Sequence, residues 1–161
     1  MHFSNLSRSE LLGILAAALL VAALFLMDWY DLANTPSRRM GEDFICGRGE
    51  LHCTGFDTFP ILRWLLLAAA SAPFILAYIV VRGHKLSWAP GELTMVVGFT
   101  AFVLIAYNGL LDPPGEEAAE IGITKQIGYY VALVAAAGIA AAGIGRAMES
   151  QEGPRKAPGT V

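Results

Sequence analysis

"LLGILAAALLVAALFLM", residues 11–27, runs for seventeen residues without one Asp, Glu, Lys or Arg. Two kinds of segment look like this: a secretory signal that is cut away, and a helix that stays in the bilayer. The apolar stretch exceeds the ~7–15 residues of a signal core, and it leads into no small-x-small cleavage site. Directly after it stands "DWYD" (28–31), rings flanked by acids, which suits a lipid headgroup boundary. The segment is therefore expected to remain as a first span.

Three more runs share its character: Trp64–Val81, Leu93–Leu111 and Ile127–Ile144, again free of Asp, Glu, Lys and Arg. At about 1.5 Å per residue, runs of this length extend about 26–28 Å, and flanking aromatics complete a hydrocarbon core of roughly 30 Å. Lipid offers no hydrogen bonds to the backbone, so each run has to satisfy its own N–H and C=O groups as a helix. The period-2 alternation of a membrane strand is missing from all four. The expected fold class is all-α, an integral membrane four-helix bundle with a short disulfide-stapled loop between helices 1 and 2. It is one membrane domain over 1–147, with spans at about 11–27, 64–81, 93–111 and 127–144 and an outer loop at 28–60. The polar Gly/Pro-rich tail, 148–161, is expected to be disordered.

Composition agrees. Hydrophobic residues make up 55% and charged residues 16%, against roughly 25% charged in soluble domains. A net charge of −3 with no dense basic patch excludes a nucleic-acid partner, which needs clustered Lys and Arg. The expected partners are the lipid bilayer and either a second copy or another membrane protein.

Local signals place the ends. "SRSE" (7–10) reads as a capping box, Ser7 and Glu10 each bonding the other's backbone N–H. Pro60 stands near the start of span two, and Arg63 can snorkel toward phosphates. Pro73 should kink that span, freeing a carbonyl for Ser71 or a neighbouring helix. Ser87 and Pro90 start span three, and Asp112 with two prolines ends it. Thr124 is expected to cap span four. Trp29, Tyr30, Trp64, Trp88, Tyr129 and Tyr130 read as interface anchors.

Orientation is weakly encoded. With the amino terminus inside, six basic residues face in and five face out, while ten of fourteen acids face out. That asymmetry, though acids count little, goes with amino and carboxyl termini in the cytoplasm and an address in the cytoplasmic membrane.

Both cysteines fall in the outer loop, within "FICGRGELHCTGFDTF" (44–59). If Gly49-Glu50 form a type II′ turn, Cys46 faces Cys53 as a directly opposed pair about 5.5 Å apart at Cα, within disulfide range. An exported loop is also where disulfides persist. Two unpaired thiols are the bland alternative. A metal set of Cys46, His52 and Cys53 with Glu50 or Asp57 matches no zinc spacing. A redox pair would want the close C-x-x-C arrangement.

Span four is crowded with small residues, including Gly128/Ala132 and Gly138/Ala142 at four-residue spacing. Such side chains let helix backbones approach closely, either within this bundle or against a partner. No ionisable group lies within any run, which disfavours pumps and ion-coupled transporters. The three histidines, His2, His52 and His84, form no set with a nucleophile. Asn108 reads as a helix-end residue bonding local backbone, and Glu116, Glu117 and Glu120 as a solvated acidic face. No enzyme, cofactor or metal is expected; an accessory, scaffold or envelope-interaction protein is, with a small oligomeric channel or transporter as the alternative.

"YNGLLDPPG" (107–115), with "DWY" (28–30) and "TGFDTFPIL" (54–62), resembles a group of small four-span membrane proteins of high-GC Gram-positive and related bacteria. The resemblance implies a four-helix architecture and a cytoplasmic-membrane address. That group is uncharacterised, so the likeness transfers no catalytic residue. Claudin-like proteins share four spans and a cysteine pair in the first outer loop, but their Trp-based signature is missing here, so that likeness is architectural.

Overall fold

The computed structural model describes residues 7–32, 52–82, 90–111 and 123–151. Four of its helices are long and apolar enough to cross a membrane. In chain order the elements are α1 (Arg8–Leu26), β1 (Asp28–Leu32), β2 (His52–Thr54), the single turn α2 (Gly55–Thr58), α3 (Leu62–Val81), α4 (Pro90–Ala106), a π-turn (Tyr107–Leu111), β3 (Ile123–Lys125) and α5 (Ile127–Gln151). The spanning helices are α1, α3, α4 and α5.

α5 is the central helix: it packs extensively on α4 and α1, whereas α3 leans on α1 and touches α4 less. Lipid is as apolar as leucine, so helices associate in it through close packing of small side chains. The α4–α5 seam shows this. A Cβ added at Gly143 would collide with the backbone N of Met95, and one at Gly98 with the backbone N of Ala140. The α1 face toward the core is Gly13, Ala16, Ala17, Leu20, Ala23 and Leu24, a stripe at helical spacing. Outside, Leu15, Phe99 and Val134 remain 63, 61 and 65% exposed. Large apolar side chains in such number on the outer surface suit contact with hydrocarbon rather than water.

The capping box at Ser7 is formed: Ser7 N donates to Glu10 Oε2 at 2.9 Å, and Glu10 N to Ser7 Oγ at 3.3 Å. Glu10 does more than cap. Its other oxygen meets Arg146 of α5 at 2.7 Å, and Ser9 Oγ donates to Glu149 at 2.9 Å. The start of α1 and the end of α5 therefore share one end of the bundle. A cavity of about 10 Å³ beside the pair is lined by all four spanning helices, including Pro73, Thr94 and Ala142. That is room for about one water.

Some local expectations shift. α3 runs unbroken through Pro73, and the Ser71 hydroxyl donates to Ala68 O at 2.7 Å. α4 begins at Pro90, where its missing N–H costs nothing. Thr124 is not a cap; it lies in β3 and its hydroxyl donates to Asp31 O at 3.3 Å. α5 continues to Gln151, past residue 148 where the tail was expected to begin.

The other end carries an element that the expected fold did not include. β1, β2 and β3 form an antiparallel sheet in the order β2-β1-β3, joining both segments at that end of the bundle. Cys46 and the Gly49-Glu50 turn lie outside the described residues.

The Glu10–Arg146 side chains are 5 and 17% exposed, so an unpaired survivor would stay desolvated. Arg146→Met is expected to destabilise the bundle by about 3 kcal/mol. Adding Glu10→Gln, which removes the charge and keeps the capping box, should restore most of the loss. Thermal unfolding in detergent measures both; equal melting of Arg146→Met and the native chain would remove the clasp from the account.

Candidate functional site

The sheet with the turn α2 beside it forms a cap on the bundle, and here lie the three largest fully buried side chains, Trp29, Tyr30 and Tyr129. Trp29, Tyr30, Tyr129 and Cys53 are each at most 2% exposed, and Phe59 joins them. Four separate segments supply them: β1, β2, the entry to α3, and the first turn of α5.

β1 positions two of these by an irregularity. Successive residues of a regular strand point to opposite faces, so Trp29 and Tyr30 could not both be buried. The pairing register with β2 shifts between Asp28 and Tyr30, a bulge that allows it. The Trp29 indole N–H then donates to Ala23 O at 2.8 Å. Ala23 belongs to the last turn of α1, whose carbonyls have no helical partner. One side chain thus caps the helix and fills the joint.

The other segments close around that ring. Thr54 caps α2, accepting from Asp57 N at 3.3 Å and donating to Asp57 Oδ2 at 2.8 Å. This sets Gly55 against the indole. Phe59 and Tyr129 meet Trp29 edge-on at 6.1 and 6.2 Å, and Tyr30 contacts the same two rings at 6.0 and 6.4 Å. From the bundle side, the π-turn brings Gly109 onto the hydroxyl edge of Tyr129, where a Cβ would overlap the ring. Asn108 in that turn donates to Leu104 O at 2.9 Å, a bond to local backbone. β3 is tied on by Gln126 N to Trp29 O at 2.8 Å.

The interface anchors therefore divide. Trp29, Tyr30 and Tyr129 are inside the cap–bundle joint rather than at a lipid surface, because the bulge and the sheet fold them inward. Trp64 and Tyr130 are exposed, and Trp88 lies outside the described residues. Of the small residues, Gly128 abuts Asp28 O, Gly138 faces Ala16, Ala142 meets Gly13, and Ala132 is fully buried. Each of these neighbours is in this same chain. Cys53 pairs across the sheet with Tyr30, and no cysteine among the described residues is free.

What this arrangement offers chemically is rigidity and surface. The Tyr30 and Tyr129 hydroxyls are buried without a hydrogen-bond partner. Burial, and secondarily the Tyr129 hydroxyl, hold the Tyr30 phenol well above its ordinary pKa. Among the described residues no group of three or more His, Cys, Asp or Glu is placed to hold a metal. A second feature is a groove of about 260 Å³ between α3 and α4, lined by Leu65, Ala68, Ala69, Val96, Val97, Thr100, Ala101 and Leu104. Its one hydroxyl, Thr100, is satisfied by Val96 O at 2.8 Å.

No protein-family model, curated protein or solved structure matches the chain.

A phenol held protonated in the fold but ionising near pH 10 when unfolded stabilises the fold fully below about pH 10. That contribution is lost as pH rises from there toward the folded value. Ultraviolet titration should find Tyr30 among the late-ionising tyrosines, and Tyr30→Phe should remove one late phenol and flatten the alkaline fall in stability. A Tyr30→Phe protein with an unchanged titration curve would contradict the assignment.

Proposed function

We propose that the protein is a non-enzymatic accessory or scaffold subunit of the cytoplasmic membrane, with the cap as its contact platform. One observation carries this reading. The described residues of both segments at one end of the bundle contribute strands to a single sheet that is locked to the helices by fully buried aromatic rings. A contact surface benefits from such preorganisation, because little conformational entropy remains to be lost on binding.

In this reading the cap faces outward and both termini lie in the cytoplasm. Cys46 and Cys53 form a disulfide, which suits an exported segment. Its support is the burial of Cys53 inside the cap and the hairpin spacing of the pair. Closing a ring of about eight residues would contribute roughly 2–3 kcal/mol on the chain-entropy model.

A photoreactive residue at Thr124, exposed on β3, should crosslink to a stoichiometric membrane protein in native membranes, as identified by mass spectrometry. Conductance or counterflow in proteoliposomes of the purified protein, with no crosslinked partner, would instead favour the small oligomeric channel or transporter. Orientation has its own test. After reduction, a membrane-impermeant maleimide should label Cys46 in intact cells; labelling only after the cells are opened would reverse the topology.

A further inference from the structure

We propose that the Arg63 guanidinium, lying over the adjoining Phe56 and Trp64 rings at the cap end of α3, binds the phosphate of a membrane phospholipid. The inference stands apart from the scaffold reading, since it needs only the membrane-spanning bundle.

Arg63 is the second residue of α3, at the boundary of the apolar span Leu62–Ile79. That boundary is the depth of lipid headgroups. Its Cζ lies 4.8 Å from the Phe56 ring centroid and 5.6 Å from that of Trp64. Phe56 is itself backed by Phe25 of α1, stacked at 4.6 Å and 28°. Nη1 reaches Phe56 O at 3.4 Å, a long bond. A planar cation on aromatic faces is held in orientation and partly desolvated.

Among the described residues no carboxylate forms an ion pair with it; the ion pair formed is Glu10–Arg146, at the opposite end of the bundle. Asp57, on the neighbouring turn, is engaged with Thr54. Nε is buried with no acceptor, so the guanidinium has given up water on that edge without a hydrogen bond in return. The remaining nitrogens form the donor fork that suits a phosphate oxyanion.

The surroundings choose between a free anion and a lipid. Trp64 beside the cation is 59% exposed, and Ile61, two residues before Arg63 in the chain, and Leu26, next to Phe25, are 75 and 81% exposed. An apolar collar at headgroup depth accepts the acyl and glycerol portion of a phosphodiester lipid and offers nothing to free phosphate. Arg82, at the other end of α3, has one ring, Tyr78 at 5.1 Å, and is exposed. It serves as the internal control.

Native mass spectrometry of the full chain released from micelles doped with phosphatidylglycerol reads the site directly. A retained lipid adduct is expected on the native protein, falling about tenfold in Arg63→Gln, as for loss of one charge-assisted hydrogen bond. Arg63→Lys, which keeps the charge and loses the fork, should also fall several-fold, and it carries the test if the Gln variant does not fold. Arg82→Gln and diacylglycerol in place of the phospholipid should show respectively unchanged and negligible retention. Equal retention in the native and both Arg63 variants overturns the proposal, as does an equal loss in Arg82→Gln. Displacement of the adduct by inorganic phosphate overturns the lipid assignment in favour of a soluble anion.

Discussion

Helices in lipid gain little by hiding apolar surface from one another, so the architecture rests on how closely backbones can approach. α5 supplies that closeness. Its Gly and Ala residues let α4 come within reach of its main chain on one side, and Gly138 and Ala142 admit Ala16 and Gly13 of α1 on the other. The cap depends on this placement. Because α1 ends beside the start of α5, the chain leaving one and the chain entering the other are neighbours. β1 and β3 can then pair, Tyr30 opposite Lys125 and Leu32 opposite Ile123. A bulkier α5 would part these ends and leave two loops where there is now one sheet.

The cap is a response to helix ends as much as a decoration on them. The last carbonyls of a helix have no internal partner, and at the edge of a bilayer water does not reach every one. The indole of Trp29 takes the Ala23 carbonyl and seats a large apolar body over the bundle. At the far end Glu10 has the corresponding double role, closing the first turn of α1 and pairing with α5. Both devices join a helix terminus to a neighbouring element, so the termini are fixed where fraying would otherwise begin. The two unpartnered tyrosine hydroxyls show that shape has outweighed polar satisfaction inside the joint.

The four spans, the capping box and the Pro90 start were legible because they depend on composition and short-range chemistry. Hydrocarbon length and the absence of charge decide a span without reference to any other residue. The sheet was not legible. β2 and β3 are three residues each, too short for alternation to register, and β3 pairs with β1 across 93 residues of chain, as from Asp31 to Thr124. Trp29 and Tyr30 misled for a related reason. An aromatic pair after an apolar run fits a headgroup belt equally well, and only the bulge turns both rings inward. Glu10–Arg146 was hidden because each partner had a sufficient local explanation, one as a capping residue and one as an inner positive charge.

The treatment of its cations separates the two ends of this bundle. Arg146 is buried among helices, and there a carboxylate is obligatory, since an unpaired ion in that setting costs several kcal/mol. Arg63 is held at the rim, where rings replace the carboxylate and the other face is open to headgroups. Here, among the described residues, the ionic chemistry sits at the boundaries and the interior is given to close packing.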